Sequence, residues 1–308
     1  MHRPPRRCAR SWAKSEGMTM KSLLLAACAA LAIGSGALAQ PARPPAAIFT
    51  DPPVDKANPA RSEVLHIPSG GVQINGLAYI AAGPGPHPTV ILAHGLPGNE
   101  KNLDLAQALR RAGWNAVTFN YRGSWGSPGD FSFKGNLDDA RAVLAYVRAP
   151  ENAKRLQVET RRLVLMGHSM GGWVTSQVAA SDPELAGAAL ISAADMSAPS
   201  AAPKAQRVAL AADNMEALAG VTAESMADQI ATLGPYSFAA ATPGLAKTRL
   251  LVLTSDDGLA PGAETLFMNV KKAGGRAAIV HVATDHSWNT ARIRLETEIL
   301  NWLGTLPK

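Results

Sequence analysis

A serine hydroxyl becomes a nucleophile when a turn exposes it and a base stands beside it, and one stretch of this 308-residue chain is patterned for that. The apolar run Leu163-Val164-Leu165-Met166 leads into Gly167-His168-Ser169-Met170-Gly171-Gly172, and a helical pattern follows at once. A tight turn between strand and helix forces Ser169 into an unfavourable backbone conformation with its hydroxyl outward. Glycines two residues to either side let neighbouring backbone pass without a Cβ clash. The helix start aims the Met170 amide at a developing oxyanion. A second amide is expected from His94-Gly95-Leu96-Pro97-Gly98-Asn99, a Gly-rich turn after the apolar run 89–93, with Leu96 the candidate donor.

The remaining partners should follow in the order serine, acid, histidine. Asp256-Asp257-Gly258-Leu259-Ala260-Pro261 follows the apolar run 250–253, and Asp285-His286-Ser287-Trp288 follows the run 277–282. Loops at the C-terminal ends of parallel strands share one rim, so both reach the side of the sheet where Ser169 lies. His286 is the candidate general base and Asp257 the acid that orients it. Spacing alone allows either Asp256 or Asp257. Gly258 lets the chain turn at once and leaves Asp257 aimed at the rim, whereas Asp256 is better placed to cap turn amides. Of the other histidines in the mature chain, His66 and His281 fall in predicted strands, His87 in a turn and His168 inside the elbow, and His94 is expected to be structural. Trp125, Trp173 and Trp288 stand near these motifs and are candidate substrate-lining residues, with packing as the competing role. Asp138 and Asp139 open a helical pattern at 137–147 and are expected to be first-turn carboxylates. The set implies two-step acyl transfer through Ser169, with no metal and no cofactor required.

The elements that must position these residues are legible. Alternation at 63–67 and 72–80 around Pro68-Ser69-Gly70-Gly71 predicts an antiparallel hairpin at a sheet edge. Beyond it, short unbroken apolar runs at 89–93, 116–119, 163–166, 188–191, 250–253 and 277–282 alternate with helical spacing at 103–112, 137–147, 172–180, 264–272 and 290–303. Unbroken runs between helices predict parallel strands covered on both faces. Residues 192–248 break the rhythm: they are Ala-rich, contain Met and Pro, show helical spacing and carry no strand signal, and are expected to form a small helical cap.

The first 39 residues read as a leader rather than as part of the fold. A short basic start after Met18, an apolar Leu- and Ala-rich run and Ala37-Leu38-Ala39 describe a secretory signal peptide, cut before Gln40. Leu25-Ala26-Ala27-Cys28 supplies the alternative of a lipoprotein. Residues 40–60 then form a flexible, Pro-rich lead-in, and 61–308 the folded domain. Six of the 30 basic residues and one of the 24 acidic ones precede Gln40, so the mature chain holds 24 against 23 and its near-neutral balance gives no reason to expect a nucleic-acid partner. Both cysteines, Cys8 and Cys28, lie in the leader, which removes a thiol nucleophile or thiolate metal site from the mature chain. The expected setting is the periplasm or the medium, with no stable membrane insertion once the leader is gone.

The elbow, the His94-Gly95 turn, the Asp257-Gly258-Leu259-Ala260-Pro261 loop and the Asp285-His286 loop together resemble the α/β-hydrolase superfamily over about residues 63–305. Its dienelactone-hydrolase-like and prolyl-oligopeptidase-like branches share the general pattern. Ser169 stands where dienelactone hydrolases use Cys, and the chain has no room for the propeller of a prolyl oligopeptidase. The resemblance implies a mostly parallel central sheet with helices on both faces, and a serine hydrolase acting on a small-molecule acyl substrate, an ester or small amide. In hydrolases with such a loop the acid stands where Asp257 does, four residues before Pro261. An acyltransferase with the same triad, a small peptidase and a non-catalytic binding module are the alternatives.

Overall fold

The computed structural model describes residues 43–307. The leader 1–39, with its signal-peptide and Cys28 readings, lies outside the described residues, as does the start of the lead-in.

Two strands with alternating burial open the domain: β1 (Arg61–Ser69) and β2 (Val72–Ile80). Gly70 and Gly71 turn between them at φ 56° and 85°, a mirror-image turn whose twist suits a hairpin and which needs residues that tolerate positive φ. The chain then alternates strand and helix: β3 (His87–Ala93), α1 (Leu103–Arg111), β4 (Asn115–Phe119), α2 (Phe133–Arg148), α3 (Pro150–Arg155), β5 (Val158–His168), α4 (Met170–Ser181) and β6 (Gly187–Ile191). After an excursion through α5 (Lys204–Ala212), α6 (Ala223–Ala231) and α7 (Phe238–Leu245), it returns through β7 (Leu250–Thr254), α8 (Ala260–Lys272), β8 (Ala277–His281) and α9 (Arg292–Leu303). The eight strands pair in the order β1-β2-β4-β3-β5-β6-β7-β8. The β1–β2 and β2–β4 pairs are antiparallel and all others are parallel.

Period-two side-chain alternation explains why the inner strands read as unbroken apolar runs. Ile91, Leu165, Leu190 and Val252 face one helical layer with α2, α4, α7 and α8, while Val90, Val164, Ala189 and Leu253 face α1 and α9. His87, placed in a turn by its sequence context, is instead the buried first residue of β3. The helix expected from Leu137 begins four residues earlier, because the Ser132 side chain accepts the Gly135 amide and caps it. Asp139 is therefore not a first-turn carboxylate. It is fully buried, accepts from the Arg122 amide and guanidinium at 2.9 and 2.6 Å and from the Ser69 hydroxyl at 2.5 Å, and ties the hairpin to α2.

The stretch expected as a cap divides in two. α7 belongs to the sheet-covering layer: a Cβ on Gly244 would stand 2.0 Å from the Ala180 carbonyl oxygen, so α7 backbone rests directly on α4. α5 and α6 pack on each other above the rim. Their connection is pinned by backbone hydrogen bonds from Trp125 to Ala217 (3.0 Å), from Ala219 to Gly123 (2.8 Å) and from Phe131 to Ala219 (3.0 Å).

Candidate active site

Ser169 sits between β5 and α4 at φ 58° and ψ −123°, a conformation rare for any residue with a side chain. Crowding shows why glycines must flank it: a Cβ at Gly171 would stand 2.1 Å from the Ala93 carbonyl oxygen, and one at Gly167 2.0 Å from that of Gly171. The elbow is tied down by Ser169 N donating to Ile191 O at 2.9 Å and by the Ala194 amide donating to Ser169 O at 3.1 Å.

The loops after β7 and β8 meet at this point. His286 Nδ1 lies 2.7 Å from Asp257 Oδ2. The Asp257 side chain is only 4% exposed. Burial pushes its carboxyl up, but hydrogen bonds from His286, the Leu259 amide and Ser255 outweigh that and hold it below the ordinary carboxylate range. A carboxylate accepting at Oδ2 requires a proton on His286 Nδ1, which leaves Nε2 free as a base. Asp256 is turned away, 61% exposed and 3.1 Å from His281 Nε2. Ser169 and His286 border one cavity of about 170 Å³. No hydrogen bond joins the two among the described residues.

The two segments that carry the candidate oxyanion amides both lie against Ser169. The 94–99 turn approaches so closely that a Cβ on Gly95 would lie 2.9 Å from Ser169 Cβ. Leu96 borders the cavities on both sides of Ser169, and Met170 opens α4. Among the described residues neither the Leu96 nor the Met170 amide donates to another backbone group. His94 lies beneath the turn, its Nδ1 2.8 Å from Gly95 O. Burial lowers it to about 4, so it stays neutral and serves as packing, with its ring edge-on to Tyr121.

The tryptophans do not line the site. Trp173 is fully buried and donates to Tyr236 O at 2.6 Å; Trp288 is fully buried and donates to Ser192 Oγ at 2.9 Å. Trp125 donates to Pro97 O at 2.6 Å beneath the Lys101 ammonium and braces the 94–99 turn. The indole N–H groups of Trp173 and Trp288 needed acceptors once their rings were buried, and the acceptors found are structural.

Three supporting groups were not singled out in the sequence. Ser192 and Ser255, following β6 and β7, are buried with their hydroxyl oxygens 2.7 Å apart. An indole N–H can only donate, so Trp288 donates to Ser192, whose hydroxyl pairs in turn with Ser255, two residues before Asp257. The third is His168, whose Nε2 donates to the His286 carbonyl at 2.8 Å, the rings 4.6 Å apart. Burial, aided by His286 nearby, lowers it to about 4, so His168 holds the loop as a neutral donor. Arg292 adds a brace from α9, donating to Ser287 O at 3.1 Å and to Asp104 at 2.7 Å. Among the described residues no three His, Cys, Asp or Glu side chains converge as metal ligands would.

This sheet order, the strained serine after β5 and the acid and histidine after β7 and β8 define an α/β-hydrolase. The sequence profile of the Alpha/beta hydrolase family matches residues 90–295, and the chain belongs to that family. Among curated proteins it is similar to an uncharacterized protein of Mycobacterium tuberculosis, 28% identical over 136 residues, which are 44% of this chain and 47% of that protein. The match thus spans about half the length of that relative. Among solved structures it is similar to an esterase of Pyrobaculum calidifontis (TM-score 0.60, 20% identity, 80% of this chain and 86% of that one). It is also similar to a thermostable carboxyl esterase of Bacillus coagulans (TM-score 0.63, 11% identity, 80% and 98%). At such identities the likeness speaks for the fold.

Proposed function

We propose that the protein is a serine hydrolase that cleaves carboxylic esters through an acyl-enzyme on Ser169. The observation that carries the reading is the 2.7 Å His286–Asp257 contact, with the His286 ring and the strained Ser169 on one cavity. His286 Nε2 takes the Ser169 proton as Oγ attacks the carbonyl carbon, and the Leu96 and Met170 amides face the oxyanion. His286 then passes that proton to the leaving oxygen, and water, deprotonated by the same nitrogen, releases the acid. Structural neighbours named as esterases favour esters over amides. The 1–39 leader supports export of the mature enzyme.

A fluorophosphonate probe tests the reading. Ser169 should be the labelled residue, and Ser169→Ala should abolish both labelling and turnover, leaving a rate only about 10³–10⁴ above water. Labelling at another serine, with turnover intact in the Ala variant, would sink the mechanism.

A further inference from the structure

The turn that carries Leu96 has little scaffold of its own. Among the described residues no backbone–backbone hydrogen bond involves residues 95–99, and Pro97 has no N–H to give. Side chains hold the turn instead, at three points. His94 Nδ1 donates to Gly95 O at 2.8 Å, the Trp125 indole donates to Pro97 O at 2.6 Å, and Asn99 Nδ2 donates to Glu216 Oε2 at 3.2 Å. The Leu96 N–H shares a peptide plane with Gly95 O. His94 therefore pins that plane from beneath, and Trp125 pins the chain just beyond Leu96. The second of these anchors belongs to the cap as much as to the sheet. The Trp125 amide donates to Ala217 O at 3.0 Å, and Ser124 before it forms an antiparallel bridge with Leu218. Trp125 holds φ 49°, a backbone conformation that a bulky residue adopts only where its surroundings impose it. The cap loop lies so close that a Cβ on Gly220, itself at φ 72°, would stand 2.0 Å from Asp130 Oδ1.

Resting on the reading above, we infer that Trp125 is a positioning residue that makes the cap loop 215–220 part of the oxyanion hole. Its backbone takes its place from the cap, and its indole N–H passes that place to Pro97 and so to the Leu96 amide. Two contacts keep the ring from swinging away. The Lys101 ammonium lies 4.5 Å from the ring centroid, held there by donating to Asn120 Oδ1 at 3.0 Å, and Asn120 Nδ2 donates to the Trp125 carbonyl at 3.0 Å. A donor aimed at the oxyanion stabilises the transition state more than the bound ester, so this linkage acts on kcat and leaves KM nearly alone.

The test removes the N–H and keeps the ring. Hydrolysis of a butanoate ester is measured with Trp125→Phe and with 3-benzothienylalanine at position 125, whose sulfur replaces the indole N–H at nearly the same shape. Turnover is expressed per fluorophosphonate-labelled Ser169, so unfolded protein does not count. Both variants should lose about thirtyfold in kcat with KM within about twofold, short of the 10²–10³ that removal of an oxyanion donor costs. Gly220→Ala, which pushes the cap loop off Asp130, should lower kcat about fivefold alone and by nothing further beside Trp125→Phe, because both act through one bond. Full kcat with the benzothienyl side chain would overturn the inference. So would a loss that appears in KM rather than kcat, or losses that multiply in the Gly220→Ala, Trp125→Phe double variant. Absence of Ser169 labelling in the unaltered enzyme sinks the mechanism beneath; intact labelling with these outcomes sinks the inference alone.

Discussion

Replacing Asp257 by Asn changes one atom, and the structure dictates how the new amide must sit. Oδ1 accepts the Leu259 amide at 2.9 Å, while Oδ2 faces His286 Nδ1 at 2.7 Å. If the Asn oxygen were turned to His286, its NH₂ would face the Leu259 N–H, donor against donor, in a spot only 4% exposed. An unmet buried donor costs about 1–3 kcal/mol, so the oxygen stays with Leu259 and the NH₂ faces His286. His286 Nδ1 must then accept, the ring proton moves to Nε2, and the base that should take the Ser169 proton is already protonated. A wrong tautomer of this kind lowers kcat by about 10⁴. Asp256→Asn removes only an exposed contact to His281, worth at most about 1 kcal/mol of stability, and should leave kcat within a small factor. Steady-state hydrolysis of a butanoate ester, with urea unfolding as the control for folding, measures both. If Asp256→Asn is the variant that loses four decades, the acid lies one residue earlier and the orientation argument fails.

Two further outcomes follow from the surroundings of the triad. Ser255→Ala removes the hydroxyl paired with Ser192 at 2.7 Å, a contact worth about 1 kcal/mol, and should lower kcat about fivefold, far less than Asp257→Asn; an unchanged kcat would show that the hydroxyl pair orients nothing. Acid should unfold the protein early, because His94 and His168 are held at about 4 in the fold against 6.5 when unfolded. Between those values the unfolded chain binds more protons, so stability falls as pH drops, by about 2 kcal/mol per histidine from pH 8 to pH 5. Glu296, whose carboxyl burial raises, works in the opposite sense. His168→Gln should remove about half of the acid loss in urea midpoints, and an identical pH dependence in that variant would refute the assignment.

What could be read from the sequence was local. The serine turn, the Gly-rich turn after β3 and the loops bearing Asp257 and His286 each join a short apolar run to turn residues, and such signals survive without tertiary information. The positions that misled depend on partners far away in the chain. Trp173 and Trp288 stand beside the chemistry in sequence, yet their rings point into the core, and only the fold supplies the acceptors Tyr236 and Ser192. Ser192 and Ser255 are 63 residues apart and meet because parallel pairing sets Ile191 opposite Leu253. Asp139 looked like a helix opening because Gly135 and Asn136 weaken the helical signal ahead of it, while the Ser132 cap starts the helix regardless.

The same pairing explains how the site tolerates its own backbone. Ser169, Ser192 and Trp288 all hold positive φ, at 58°, 43° and 61°. Each such residue costs about 1–3 kcal/mol, a large share of the 5–15 kcal/mol by which a folded domain usually survives. The three are not independent. The Ser169 amide is held by Ile191 O, the Ser192 amide by Leu253 O at 2.8 Å, and the Trp288 indole by Ser192 Oγ. Every anchor therefore ends on β6 or β7 or on the residue that follows β6, in the middle of the sheet, where both faces are buried. Relaxing any one residue would break a bond to that sheet or free a buried indole N–H, so the strain has no cheap exit. The parallel core thus does more than carry the loops to one rim. By overdetermining their first residues it keeps Ser169, the histidine loop and the Ser192–Ser255 hydroxyl pair in one geometry before any substrate arrives.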